Sequence, residues 1–236
     1  REAYGSALEQ IGAQCAAIMG IDGDTKNSTF SERLKKIRPN QFADAYIAEQ
    51  NMVSVALGAS TEGKIPYASS FACFLSRAYD QIRMAGHSEA SHLVIVGSHA
   101  GVSIGEDGQS QMALEDLAMM RGVVPATVLY PSDAVSAEKL TELAGKTPGV
   151  VYLRMSRPKT AVLYPNDETF VVGRSKVLRS SPNDAITVVG AGVTLHEALA
   201  AHAELAKAGI AVRVIDLYSV KPVDVKTLLQ AAAETK

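Results

Sequence analysis

The chain has 236 residues, 47% of them hydrophobic and 20% charged, which excludes a disordered segment, since disorder needs low hydrophobicity and high net charge. Its 23 Lys and Arg against 25 Asp and Glu leave a net charge of −2, which argues against a broad nucleic-acid footprint. Two cysteines, Cys15 and Cys73, are too few for a disulfide framework and read as reduced cytoplasmic thiols, and neither an apolar run of about 18 residues nor an export leader marks a membrane span or secretion.

The apolar pattern alternates between two periods along the chain. Residues 2–13 have helical spacing, and the run 16–21 has strand length. A strand-like stretch at 42–47 leads into a helix over 49–61, with Met52, Val53, Ala56 and Leu57 on one stripe. A short strand at 65–68 and a helix over 72–84 follow. The run LVIVG at 93–97 is continuously apolar, as expected of a strand covered on both faces of a parallel sheet. Next come a Gly-rich loop, a helix near 114–120, a strand near 127–130, a helix near 134–144 and a strand near 150–155. This alternation predicts an α/β fold over residues 1–157, with a doubly wound, mostly parallel sheet.

The pattern breaks after Ser156, where a linker runs to residue 168 and two short strand-like stretches follow at 170–172 and 175–178. A new βαβ unit then begins: a strand at 185–189, the turn Gly190-Ala191-Gly192, a helix near 195–208 and a strand at 211–215. The stretch 223–233 reads as a helix. Residues 158–236 therefore read as the start of a second, smaller α/β domain, too small to stand alone. With no initiator Met, the chain reads as a piece of a longer protein.

Several residues could carry chemistry. Glu49 falls where a strand should end and a helix begin, the place where open α/β sheets bind ligands; a carboxylate there also suits the helix dipole without any further role. The loop Gly97–Gly108 places His99, Asp107 and four glycines after the most apolar strand, so it can bring backbone close to a ligand or serve as a solvated turn. Phe71 and Phe74, with Arg77, share one helical stripe, as core rings or as a wall for a flat heteroaromatic. Arg1, Ser28 and Arg157 are single surface residues that would together suit a phosphate. Asp22-Gly23-Asp24 lacks further ligands for a metal and reads as a turn. The Gly190–Gly192 turn lacks the third glycine of a dinucleotide fingerprint. His87, His92, His196 and His202 have no partners at metal-ligand spacing.

The strings IDGDTKNSTFSE (21–32), YIAEQNMVSVALG (46–58), FACFLSRAYDQIRM (71–84) and GSHAGVSIGEDGQSQMALEDLAMMR (97–121), with the run from Thr187 to Leu199, closely resemble the transketolase family in its animal-type branch. The resemblance covers essentially the whole chain, as the central pyrimidine-binding domain and part of the C-terminal domain. It implies transfer of a two-carbon ketol unit from a ketose phosphate to an aldose phosphate with thiamine diphosphate, in the pentose phosphate pathway. It also implies a homodimer in which the partner subunit's diphosphate-binding domain holds the diphosphate and a divalent metal, Mg2+ or Ca2+, so that no metal ligand is expected in this chain.

Residue by residue, the resemblance places Glu49 at the glutamate that hydrogen-bonds the pyrimidine ring nitrogen and promotes the tautomer that deprotonates the thiazolium. Phe74 matches the ring that stacks on the pyrimidine, with Phe71 beside it. Gln111 lies near the cofactor where many family members carry His. His99, Arg1, Ser28 and Arg157 match substrate contacts, mostly at the phosphate end, and Asp107 matches the acid that reads a substrate hydroxyl. Related readings are 1-deoxyxylulose-5-phosphate synthase, a 2-oxo acid dehydrogenase beta subunit, or a non-catalytic dimerisation paralogue. The set Arg1, Ser28 and Arg157, together with the SIGEDGQSQ loop, favours transketolase. The family's diphosphate-binding domain and the end of its C-terminal domain have no counterpart in the 236 residues, which favours a fragment over a natural split subunit.

Overall fold

In the computed structural model, which describes residues 1–88 and 91–235, the apolar runs become parallel strands with helices on both sides. Helix α1 (Glu2–Gln14) leads to strand β1 (Ile18–Asp22), two short helices, α2 (Lys26–Thr29) and α3 (Glu32–Ile37), and strand β2 (Phe42–Asp44). Helix α4 (Glu49–Thr61), strand β3 (Ile65–Phe71), helix α5 (Tyr79–His87) and strand β4 (His92–Ser98) follow. Beyond the Gly-rich loop lie α6 (Asp116–Gly122), β5 (Thr127–Leu129), α7 (Ala134–Lys146) and β6 (Gly149–Arg154). The rest of the chain forms β7 (Lys176–Arg179), β8 (Ile186–Gly190), α8 (Val193–Lys207), β9 (Val212–Asp216), β10 (Ser219–Lys221) and α9 (Val225–Glu234).

The larger sheet has the order β10-β5-β6-β4-β3-β1-β2. Its members β1 to β6 are all parallel, as the alternating pattern predicts. Strand β4 shows why the sheet needs helices on both faces. Leu93 and Ile95 enter one core cluster with Met52, Val53 and Ile82 of α4 and α5, whereas Val94 and Val96 enter the opposite cluster with Leu8 and Leu140 of α1 and α7. Successive strand side chains leave by opposite faces, so a strand covered on both sides must be apolar throughout. Each such fully buried side chain contributes about 1.5–3 kcal/mol. No helix among the described residues is long and apolar enough to cross a membrane.

The structure corrects several element boundaries. The strand expected over 42–47 ends at Asp44, and the helix expected over 72–84 is a 3-10 turn, Phe74–Ala78, running into α5. The strand-like stretch 170–172 is irregular. Its Phe170 is a buried anchor, edge-on to Tyr164 and Tyr218 at ring-centroid distances of 5.1 and 4.9 Å. The smaller sheet therefore has the order β7-β9-β8, with β7 antiparallel to β9 and β8 parallel to it. Strand β10, unforeseen from the pattern, leaves that unit and pairs antiparallel with β5 on the edge of the larger sheet. Three residues with one buried position carry too little periodicity to signal a strand.

Gly97, in β4, faces the fully buried Tyr152 ring; a Cβ there would lie 2.8 Å from Cε2 of the ring. The Tyr152 hydroxyl is tied to Asp116 at 2.7 Å, so the ring cannot swing aside. Gly97→Ala should destabilise the fold by about 1–3 kcal/mol, the usual cost of overpacking a close-packed core. Urea unfolding of parent and variant checks this, and equal midpoints would contradict it.

Candidate active site

The parallel strands end together, and the candidate residues gather beyond their carboxyl ends. Asp22 closes β1 and turns the chain: its buried carboxylate accepts from the Thr25 N–H at 2.5 Å, the Thr29 hydroxyl at 2.9 Å and the Ser31 hydroxyl at 2.8 Å. Burial raises its pKa, against the pull of those hydrogen bonds. The Asp22-Gly23-Asp24 segment is thus a turn, as expected, and it delivers Ser28 to the site. The carbonyl of Ser28, rather than its hydroxyl, meets Arg1 Nη1 at 2.9 Å.

Glu49 is the first residue of α4 and is only 1% exposed. Its Oε2 accepts from Arg77 Nη1 at 2.6 Å, while its Oε1 has no hydrogen-bond partner among the described residues. Arg77 lies in the 3-10 turn that also carries Phe74. Its pairing with Glu49 is missed by a sequence reading that places it only beside the two rings. Phe74 stacks on Phe71 with centroids 5.4 Å apart and planes 6° from parallel. Phe71 in turn stacks on His99 at 3.8 Å. The faces of Phe71 are thus taken by protein rings, whereas Phe74 stacks on Phe71 alone among the described aromatic rings.

His99 follows β4 with a left-handed backbone, φ +56°, and is buried. Its Nε2 lies 3.1 Å from Arg1 Nη1, and its Nδ1 lies 2.9 Å from the Ser98 hydroxyl. A guanidinium can only donate, so Nε2 is the acceptor and Nδ1 carries the proton of a neutral imidazole. Burial, and then the charges of Arg1 and Arg157, push its pKa down to about 3. Arg1 also donates from Nε to the Arg157 carbonyl at 3.2 Å. Arg157 donates to the Ile104 carbonyl at 2.6 Å and pairs with Glu106, and its Nε stands 3.6 Å from Asp107. Pairing with Arg157 draws the Glu106 carboxyl down to about 2. Arg1, Arg157 and Lys159, with Glu2 and Asp133, line a pocket of about 210 Å³.

The sequence-predicted residues therefore fall into one series, from the Glu49–Arg77 pair through the 3-10 turn shared by Arg77 and Phe74, then by ring stacking through Phe71 and His99, and by polar contacts to Arg1, Ser28, Arg157 and Asp107. Gln111 lies in the same loop as His99 and Asp107, in the 3-10 turn Gln109–Gln111, and is joined to neither by a hydrogen bond. Sequence reasoning also misses Arg154, Asp116 and Tyr130. The available signal was Arg154 itself, a charge ending an apolar strand, since a buried charge must have a partner. Of the four histidines without partners at metal-ligand spacing, His92 and His196 each hydrogen-bond a backbone carbonyl. No group of three or more His, Cys, Asp or Glu among the described residues is placed to hold a metal ion.

Because folding lowers the His99 pKa, an unfolded chain takes up this proton first on acidification. The contribution of His99 to stability is complete above about 6.5 and is lost as the pH falls towards about 3. The His99 ring resonances should stay constant from pH 8 to 5 in an NMR titration of the folded chain. A midpoint near 6.5 would show that the ring is solvated.

A family model of the transketolase pyrimidine binding domain matches residues 1–162, and one of the transketolase C-terminal domain matches residues 175–236. The chain is 55% identical over 237 residues to transketolase of Homo sapiens and 56% identical over 236 residues to transketolase-like protein 2 of Mus musculus, each alignment covering 100% of this chain and 38% of the relative. The chain thus spans about two-fifths of the length of the curated relatives it matches. Among solved structures, a split-gene transketolase described as an inactive beta4 tetramer has a TM-score of 0.90 at 37% identity, with 100% of this chain and 76% of that chain covered. Transketolase from Campylobacter jejuni shares the fold, with a TM-score of 0.91 at 19% identity, over 100% of this chain and 38% of that chain. By family model and by identity over its whole length, the chain belongs to the transketolase family.

Proposed function

We propose that this chain is the part of a transketolase that holds the pyrimidine end of thiamine diphosphate and binds the sugar phosphate, in the transfer of a two-carbon ketol unit from a ketose phosphate to an aldose phosphate. The observation that carries this reading is the single series of contacts from Glu49 to Asp107, with a carboxylate at one end and two arginines at the other. The residues fit the pyrimidine on two counts. Glu49 is buried and its Oε1 has no hydrogen-bond partner among the described residues, and half-buried Phe74 stacks on Phe71 alone among the described aromatic rings. When bound, thiamine diphosphate would supply a nucleophilic carbon and an electron sink for the two-carbon unit. Glu49 is placed to share a proton with a ring nitrogen, and Arg77 fixes its carboxylate through the other oxygen. Phe74 offers the stacking face, Phe71 supports it from behind, and Gln111 belongs to the loop that borders the reacting end.

The substrate end is read from Arg1, Ser28, His99, Asp107 and Arg157. Neutral His99 has its Nε2 occupied by Arg1, so it orients that guanidinium towards an anion without adding charge. Arg157 already holds a carboxylate, Glu106, whose side chain is 73% exposed, and a phosphate can take its place on the same guanidinium. Asp107 accepts a substrate hydroxyl in this reading. Mg2+ or Ca2+ belongs to the diphosphate-binding domain of the partner subunit. Tyr46, Ile47 and Val55, 69%, 72% and 50% exposed around the start of α4, favour a homodimer paired along that helix. The division into units 1–157 and 158–236, and a cytoplasmic location, belong to the same reading.

In the full-length enzyme, Glu49→Gln should lower kcat by at least ~10²-fold, the low end for a positioned proton-transfer group. Glutamine keeps the shape and the Arg77 contact, but its amide has no acidic proton to transfer to a ring nitrogen. Steady-state assay with a ketose phosphate donor and an aldose phosphate acceptor tests it, and an unchanged kcat removes Glu49 from the chemistry. Arg157→Ala should raise KM for phosphorylated sugars more than it lowers kcat, because it removes binding remote from the reacting carbons. An unchanged KM would leave Arg157 as a loop tether only.

A further inference from the structure

We propose that Arg154 and Tyr130 are positioning residues that lock the loop 99–113, and that the turn 190–192 ahead of α8 sets this lock by the way it receives the Tyr130 ring. Arg154, at the end of β6, is buried, and its Nε and Nη2 reach the two oxygens of Asp116 at 2.7 and 3.1 Å. Asp116 is the first residue of α6, so the pair ties the end of a strand to the start of a helix. Arg154 Nη2 also lies 3.4 Å from the Ala113 carbonyl, which accepts from the Gly101 N–H at 2.9 Å. Ala100 and Ala113 form a β-bridge at the same place. These contacts close the neck of the loop that carries His99, Asp107 and Gln111, while Arg157 holds its tip through Ile104. One segment, Arg154 to Arg157, thus fixes the loop at both ends.

The Tyr130 ring lies 4.5 Å from the Arg154 guanidinium carbon, and its hydroxyl is 2.9 Å from Ser156 Oγ. A ring face toward a desolvated guanidinium attracts it electrostatically. The ring is met by Gly192, where an added Cβ would fall on the ring itself, 2.5 Å from Cε1 and nearer still to Cζ. The turn is fixed in turn: the Gly192 N–H donates to Ser132 Oγ at 3.0 Å, and Ser132 donates to Asp216 at the end of β9 at 2.9 Å. A residue larger than glycine at 192 must displace Tyr130, and Tyr130 is what keeps Arg154 aimed at Asp116 and Ala113. The smaller sheet would thereby reach the candidate site without contributing a residue to it.

The effect on the loop stands on geometry alone, whereas its effect on substrate rests on the proposed function. Hydrogen exchange on the full-length protein reads the first, and KM for a ketose phosphate reads the second. Gly192→Ala and Tyr130→Leu should speed exchange of loop 99–113 by at least roughly tenfold, about 1.4 kcal/mol of local opening, and should raise KM more than they lower kcat. Tyr130→Phe, which keeps the ring and loses only the hydroxyl bond, should restore loop protection. Gly209→Ala is the control, because Gly209 has φ +75° but nothing within 4 Å of an added Cβ. Folded Gly192→Ala and Tyr130→Leu variants with parental exchange in the loop would overturn the proposal. Equal loop exchange in Gly209→Ala and Gly192→Ala would overturn it too, as general destabilisation. Faster exchange with unchanged KM would uphold the lock and remove its link to substrate, while the Glu49→Gln result judges the proposed function separately.

Discussion

Arg154 and Asp116 face each other with side chains only 9% and 1% exposed. Taking two charges out of water is expensive, and their attraction offsets the expense only with good geometry and with the remaining donors and acceptors satisfied. The geometry is met by the two-point contact of Nε and Nη2 with the carboxylate, the Tyr152 hydroxyl also donates to Asp116, and the Ala113 carbonyl and the Tyr130 ring lie against Arg154. Loss of either partner alone leaves an uncompensated buried charge, which costs about 3–5 kcal/mol. That asymmetry favours one arrangement of β6, α6 and the loop between β4 and α6. Gly97 of β4 pairs with Arg154 of β6, so His99 leaves its strand two residues beyond the pair, and Arg157 lies three residues further along its own.

The two ends of the candidate site differ in chemistry, and packing keeps them apart. Glu49 and Arg77 form one end, where the second carboxylate oxygen has no hydrogen-bond partner among the described residues. Arg1 and Arg157 form the other, where cations face carbonyls and an exposed carboxylate. Between them stand Phe74, Phe71 and His99, each ring against the next. The stack excludes water around His99, which keeps the imidazole neutral and leaves the two guanidinium groups as the local charges. A molecule with a flat heteroaromatic part and an anionic sugar would meet complementary groups along this line.

The joint between the two sheets is equally specific. Strand β10 completes the edge of the larger sheet, and Phe170 sits between Tyr164 and Tyr218. Ser132 and Tyr164 both donate to Asp216, whose carboxyl is raised to about 6 chiefly by burial. Most of these contacts join residues far apart in the chain, such as Ser132 and Tyr164 with Asp216 and Phe170 with Tyr218. The smaller unit therefore does more than follow the larger one, because its strand and its turn both enter the larger unit's packing.

Much of this was legible in the residues themselves. Alternating runs of period two and period 3.6 report burial on sheets and helices, and LVIVG has the length and continuous apolar character expected of a strand covered on both faces. The motifs around Glu49, Phe74 and His99 marked one family, because each combines residue types that a generic turn or helix does not need together. The stretch 170–172 misled, since an apolar anchor in irregular chain and a strand residue look alike when only hydrophobicity is read. Which oxygen of Glu49 Arg77 occupies, that Phe71 stacks on both Phe74 and His99, and that Arg154 pairs with Asp116 were decided by the tertiary structure alone. Those facts depend on side chains as many as 38 residues apart meeting at a few ångströms, and local periodicity carries no information about such distances. The glycine at 192 makes the same point: its sequence context suggests a turn, and only the packed fold shows that the missing Cβ makes room for Tyr130.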